Sequence, residues 1–371
     1  MKCDIVVIGA GVAGCAIARE LSRKHPEKKI VVLEKREGVG LEASSLNSGV
    51  LHTGLHQKPG SLKARLAFEG NKLAVRYHQE KNLPIMNCGM LVAIPWSALW
   101  SGLMKELGSL LGLIRRGREQ RINFKFLGPV SVKKIEPRIR AMGGIFIPAV
   151  WVIDSIRFVR ELWKDAVANG VSFFFSSGVE KIEISGSSYC VKAGRLKVET
   201  GILINAAGVF SDEIAAMAGI LKYKIYPWRG EYYEIIGKKR KIISHLVYPA
   251  APKNSPSKGI HFGPRLDGRL FLGPNARSVP RKNYYEEDKT PKEEFLKAAK
   301  KFFPELEESE LVWSYSGIRP KTADTPAEDD FIISIDRAKP LLLNLVGIES
   351  PGLSAAMAIA EYCCAMLDKA L

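Results

Sequence analysis

The chain reads as an α/β protein in which a Rossmann-like dinucleotide-binding domain is interrupted by a second, α+β domain built on an antiparallel sheet. Three observations point there. A complete strand, glycine turn, helix and strand open the chain; three segments of the same character recur far downstream; and the stretches between them are rich in alternating and aromatic residues.

The apolar run Ile5 to Ile8 reads as a buried parallel strand. Gly9, Gly11 and Gly14 follow at G-x-G-x-x-G spacing, which gives a tight turn, close approach of backbone to a pyrophosphate and close packing of helix on strand. Val12, Ala13, Ala16, Ile17 and Leu21 form a helical stripe, and the start of that helix points free N–H groups at the phosphates. Ile30 to Leu33 is the second strand, and Glu34 ends it about 20 residues after Gly14, where an acid accepts hydrogen bonds from a ribose. Further on, Asp154 or Ser155 caps a helix with the inner face Ile156, Val159, Leu162, Trp163 and Ala166, followed by a strand at Val171 to Phe175. Ile202 to Gly208 is a buried strand running into small residues. Leu341 to Val346 is another, with a turn at Gly347 to Gly352 and a closing helix from Leu353 to Leu371. Residues 1–84, 149–225 and 304–371 are therefore assigned to the nucleotide-binding domain, and 85–148 and 226–303 to the inserted substrate domain, whose strands include 231–236, 261–264 and 269–274.

At 371 residues the chain suits two interleaved domains, and 46% hydrophobic content fits a soluble enzyme. No apolar run is long enough to span a bilayer. The N-terminus enters the first strand directly and leaves no room for a signal peptide, so a cytoplasmic protein is expected. The six cysteines show no C-x-x-C pair or metal-ligand spacing, so no zinc, iron–sulfur or other metal site is expected. The formal charge of +16 admits nucleic acid, an anionic membrane surface or an acidic substrate as its reason. Lys and Arg are spread along the chain and not clustered with stacking aromatics, which argues against a nucleic-acid partner. Residues Trp96 to Arg121 join an apolar stripe to Arg115, Arg116, Arg118 and Arg121. That pattern suits a helix lying peripherally on anionic lipid at the inner face of a membrane, but the reading preferred here is an amphipathic helix of the smaller domain packed on its own sheet.

The order of these parts resembles the D-amino-acid oxidase superfamily of FAD-dependent oxidoreductases over essentially the whole chain. The motifs that carry the resemblance are 44–54 (SSLNSGVLHTG), 59–64 (PGSLKA), 87–93 (NCGMLVA), 229–233 (RGEYY), 317–321 (GIRPK) and 347–353 (GIESPGL). Within the superfamily they are most similar to L-2-hydroxyglutarate dehydrogenases and oxidases, shading into flavin-dependent glycerol-3-phosphate dehydrogenases. The resemblance implies an FAD-binding domain of the glutathione-reductase type. It implies FAD lined by Gly9, Gly11, Val12, Ala13, Gly14, Glu34, Lys35, Ser44, Ser45, Asn47, Ser48, Gly49, Val179, Ala207, Gly208, Gly317, Gly347, Gly352, Leu353 and Ser354. Independently, the 44–49 loop supplies small hydroxyl and amide donors, and the helix starting at Gly352 offers N–H groups to charge developing on a flavin. No second G-x-G-x-x-G unit appears, so NAD(P)H is not expected to carry the electrons.

The expected reaction is oxidation of a small anionic 2-hydroxy acid, L-2-hydroxyglutarate to 2-oxoglutarate first among them, by hydride transfer to flavin N5, with quinone or oxygen as acceptor. His52 is the expected general base, since a neutral imidazole suits removal of a hydroxyl proton. Arg319, in a motif that looks like the family's carboxylate-binding arginine, is expected to fork the substrate carboxylate, with Lys321 beside it. Arg229, Tyr232, Tyr248 and His261 are expected around the distal carboxylate of a diacid. His56 departs from the tyrosine common at its position in that subfamily. The competing readings are an amino-acid or glycine oxidase, a glycerol-3-phosphate dehydrogenase and, in a different class, a tRNA-associated flavoprotein.

Overall fold

The computed structural model describes residues 1–237, 242–250, 258–325 and 329–370. Its first sheet has eight strands. Lys2–Ile8 lies between Ile30–Leu33 and Leu196–Asn205, parallel to both, with Ile5 opposite Ile30 and Ile202. Ser172–Phe174 extends the sheet beyond Ile30–Leu33, and Leu341–Val346 pairs with the end of Leu196–Asn205. These central strands are buried on both faces, as a parallel sheet covered by other elements must be. Helices Val12–Lys24, Ser155–Ala168, Leu62–Glu80 and Gly352–Ala370 pack together on one face and close the main core.

Two glycines fix the first turn. Gly9 has φ +103°, a conformation an L side chain rarely adopts, and a Cβ at Gly14 would stand 1.9 Å from the Gly9 carbonyl oxygen. The first helix can lie on its strand only because residue 14 has no side chain.

The second sheet has nine strands. From one edge they run Arg277–Ser278, Tyr226–Ile235, Leu270–Gly273, His261–Pro264, Leu246–Pro249, Met90–Pro95, Ala141–Ile147 and Lys125–Leu127, with Leu311–Lys321 also beside Tyr226–Ile235. It is antiparallel except where Leu246–Pro249 runs parallel to Met90–Pro95. The inserted domain also extends past the boundary expected at 304. Leu311–Lys321 pairs along Tyr226–Ile235 from Lys321 opposite Tyr226 to Leu311 opposite Ile235, so residues 311–321 belong to the inserted sheet. A small sheet of Val50–Leu51, Trp151–Ile153 and Ile85–Asn87 joins the two domains.

The 96–121 segment is two helices, Ala98–Ser101 and Leu103–Glu119, because Gly102 at φ +127° breaks the run. Leu110, Leu113 and Ile114 of the longer helix pack on Met90, Val92 and Ile94, so one face serves its own sheet. Trp100, Met104 and Leu111 are exposed, as are Arg115, Arg118 and Arg121. Among the described residues no helix is long and apolar enough to cross a membrane.

Gly14→Ala forces a methyl group into the Gly9 carbonyl and should cost about 3 kcal/mol through overpacking that only a backbone shift relieves. Thermal unfolding should drop accordingly, whereas Gly170→Ala, which meets no neighbouring atom, should cost only the strain of its positive φ.

Candidate active site

Two cavities meet at the end of the first strand. The larger, about 660 Å³, lies between the two sheets; the smaller, about 190 Å³, lies over the ends of the parallel strands. Both are lined by Gly11, Ala43, Ser44, Ala206, Gly208, Val209 and Ile318, so they form one trough bent at the glycine turn.

Glu34 and Lys35, with Gly9, Val179, Ala207 and Gly208, line the smaller cavity. The Glu34 carboxylate accepts from Ala10 N–H at 2.7 Å and Arg36 N–H at 2.8 Å, and burial still holds its pKa above the usual carboxylate range. Lys35 pairs with Glu42 at 2.8 Å and lies over the Phe210 ring. Val12, Ala13, Asn47, Ser48, Gly317, Gly352 and Leu353 line the larger cavity. Five residues expected on the cofactor do not line either cavity. Gly14 packs against Gly9, and Gly49 against the Ile153 carbonyl. Gly347 makes a turn against Thr322, and the Ser45 hydroxyl donates to Glu42 O. The Ser354 hydroxyl is buried and accepts from His52 N–H at 2.8 Å, so it positions that residue. Two anticipated donors are otherwise used, and a third, the Ser44 hydroxyl, is engaged as an acceptor and keeps its hydrogen to donate. The Asn47 amide bonds to Ala43 O and Ser44 O, Ser44 Oγ accepts from Val12 N–H, and Gly352 N–H reaches Glu349 O.

Opposite the glycine turn, the strand pair Tyr226–Ile235 and Leu311–Lys321 makes the cavity wall. Gly230 and Tyr232, two apart on one strand, line it, as do residues 317–321 of the other, Gly317 and Arg319 among them. Arg229 is out of phase and points away. Fully buried, it pairs with Glu231 at 2.6 Å and donates to the carbonyls of Glu287 and Asp288, so it is structural and does not bind substrate. Gly230 leaves room for Arg319, since a Cβ there would come within 3.3 Å of its Nη2.

The Arg319 guanidinium forms no hydrogen bond or ion pair among the described residues. The two carboxylates on the cavity lining are matched, Glu119 to Arg115 at 2.8 Å and Glu349 to the buried Lys63 at 2.9 Å. Around Arg319 the wall carries His52, His56, Tyr248 and His261. Tyr248 is their hub. His261 stacks on it at 3.6 Å between ring centroids, His56 lies tilted at 5.8 Å and His52 meets it edge-on at 6.3 Å. Burial, followed by the nearby Lys258 ammonium, holds His52 and His56 well below the ordinary histidine value. Burial pushes His261 down to about 3, although its bond to Gly259 O opposes the shift. All three imidazoles are therefore neutral. Lys321 lines the wall too, but its ammonium donates to Thr325 O and lies over Trp228.

Two lining cations carried no sequence signal of their own. Lys258 lies outside every sequence motif, and Arg116 belongs to the basic helix. Arg116 turns inward and donates to His56 O at 2.6 Å, unlike the exposed Arg115 and Arg118. Among the described residues no group of three or more metal-ligating side chains gathers.

A family model described as FAD dependent oxidoreductase (DAO) matches residues 4–366. The mitochondrial L-2-hydroxyglutarate dehydrogenase of Caenorhabditis briggsae is 28% identical over 406 residues, covering 97% of this chain and 92% of the relative. A glycerol 3-phosphate dehydrogenase of Caloramator mitchellensis is 30% identical over 362 residues, covering 97% and 72%. Among solved structures, the dithionite-reduced L-α-glycerophosphate oxidase of Mycoplasma pneumoniae with FAD bound superposes with a TM-score of 0.87 at 27% identity, covering 99% of this chain and 95% of that one. The trough fits that cofactor: an acid at one end, glycines where backbone must come close, and buried unpartnered polar atoms, His52 Nδ1 and His261 Nε2, at the other.

Arg229→Met leaves the Glu231 carboxylate buried without its counter-charge and should cost about 3–5 kcal/mol of stability. Replacing both as Arg229→Met/Glu231→Gln should restore most of that in thermal unfolding. A raised substrate KM with unchanged stability would instead put Arg229 in the substrate site.

Proposed function

The chain belongs to the FAD-dependent oxidoreductases of the DAO family, and from that premise we propose that it oxidises a small anionic 2-hydroxy acid, L-2-hydroxyglutarate first among them. The unmatched Arg319 guanidinium carries this reading. The two carboxylates lining the cavity are already paired with other cations, so neither matches it, and a bidentate carboxylate would supply that counter-charge. Lys258 and Arg116 add positive charge along the same wall for a second anionic group.

Bound FAD supplies the two-electron oxidant. The protein does the rest. Arg319 holds the carboxylate beside the alcohol carbon, and Tyr232 and Tyr248 exclude water. A neutral imidazole of the wall receives the hydroxyl proton, and His52 and His261 each combine burial with an unpartnered ring nitrogen. The exposed Met104 and Leu111 lie on the helix whose other residues, Gly108, Gly112 and Arg115, border the cavity, and the exposed Trp100 lies on the short helix before it. That placement favours a quinone taken from an anionic membrane surface over oxygen as acceptor.

The second reading is glycerol 3-phosphate, favoured by the relatives named for it and by the equal fit of phosphate to a guanidinium. Steady-state kinetics with both substrates, each against a soluble quinone and oxygen, separates the two. Arg319→Met should lower kcat/KM for the hydroxy acid by about 3 kcal/mol, roughly a hundredfold, with Arg319→Lys between it and wild type. A loss of less than twofold would remove Arg319 from the site.

The pH profile follows from the histidine shifts. The free enzyme needs a neutral imidazole, and the lowered pKa values keep it neutral as pH falls past 6.5. The acid limb of kcat/KM should therefore lie below 6.5, the ordinary histidine value; a limb at or above it would contradict the buried, cationic surroundings.

A further inference from the structure

His52 and His261 both line the cavity, and they differ in what holds the ring from behind. His261 Nδ1 lies 2.9 Å from Gly259 O. A carbonyl only accepts, so Nδ1 carries the hydrogen and the neutral ring presents a lone pair at Nε2. Nε2 is buried and unpartnered. The His52 ring makes no hydrogen bond among the described residues; its backbone N–H is held by Ser354, and nothing selects its tautomer.

From this we propose that His261 is the catalytic base, accepting the substrate's hydroxyl proton at Nε2 while Gly259 O orients the ring. The proposal rests on reading the cavity as the site of an anionic alcohol. It also revises the expected role of His261. A carboxylate is acceptor-only and gains nothing from a lone pair, so His261 does not hold a distal carboxylate; a hydroxyl has a hydrogen to give.

The ring is fixed for this task. It lies face to face with Tyr248, its edge meets Phe271 at 5.8 Å, and its backbone is in the sheet opposite Gly273. When the O–H bond breaks, the proton goes to Nε2 and the oxygen's electrons form the new C=O bond. The C2 hydrogen would leave with the C–H electron pair, as hydride, to bound FAD, the oxidant of this family. The imidazolium then donates twice, from Nδ1 to Gly259 O and from Nε2 to the new ketone oxygen, and charge strengthens both bonds. Lys258 and Arg319 oppose that charge, with His52 beyond Tyr248 neutral, and the bound substrate anion offsets the two cations.

The keto oxygen can only accept and the ligand carries negative charge, so its binding favours the protonated ring, raises the ring's pKa from its low free value and takes up a proton. The oxidised holoenzyme is titrated calorimetrically with 2-oxoglutarate at about pH 6, nearer the lowered pKa of the free ring, in buffers of different ionisation enthalpy, which reads protons directly without turnover. Wild type and His52→Asn should take up a measurable fraction of a proton per ligand, and His261→Gln, which keeps a polar atom near Nε2 but no proton affinity, should take up none. His261→Asn is the second variant, and flavin absorbance reports which of the two retains the fold. Binding without uptake in wild type, or uptake lost in His52→Asn and kept in His261→Gln, would overturn the proposal. Dihydroxyacetone phosphate is the parallel probe. If it alone binds, the hydroxy-acid reading falls and the same comparison decides His261; if neither ligand binds, the site reading fails and the proposal with it.

Discussion

The structure turns on the seam where the loop after the second strand meets the inserted sheet. A Cβ at Gly317 would stand 2.0 Å from Leu46 O, so that contact exists only because residue 317 has no side chain. Two residues away Tyr315 donates its hydroxyl to Asn47 O at 2.6 Å, and Tyr232 stacks on Tyr315 at 4.6 Å between centroids. The 44–49 loop is thus clamped between the glycine turn it borders, through Ser44 and Val12, and the wall that carries Arg319. The cofactor trough and the substrate wall are held in register by one strand pair.

Around that seam the electrostatics are one-sided. Lys63, buried against Asp329 and Glu349, anchors the turn before the closing helix, and Asp330 accepts from the N–H groups of Leu62 and Lys63 at the start of the Leu62–Glu80 helix. These acids are consumed in holding the cavity together. What faces the interior is a guanidinium without a partner and a set of imidazoles that burial keeps uncharged. Such a wall binds an anion and still has somewhere to put a proton, which are the two requirements of oxidising an anionic alcohol.

Local features were legible in the sequence and phase relations across the sheet were not all respected. The glycine turn, Glu34 and the buried parallel strands depend on residues close together in the chain, and the structure forms them where the spacing implies. The strands at 261–264 and 270–273 were equally readable from alternation. Arg229 and Tyr232 lie three apart on one strand and so face opposite ways, which period two alone excludes from a shared site. The break at Gly102 was masked by a continuous apolar stripe. Arg116 and Lys258 reach the cavity through tertiary placement, the former by holding a carbonyl 60 residues away in the chain. The Gly259 contact that distinguishes His261 from His52 has no counterpart in any sequence pattern.

The central claim is that this cavity is built for an anionic 2-hydroxy acid. The most direct measurement is the visible absorbance of the oxidised flavin, followed anaerobically while L-2-hydroxyglutarate, L-amino acids and glycerol 3-phosphate are added separately. Bleaching by L-2-hydroxyglutarate and not by the others is the result the account requires. Bleaching by an L-amino acid or glycerol 3-phosphate, with hydroxyglutarate inert, would contradict it.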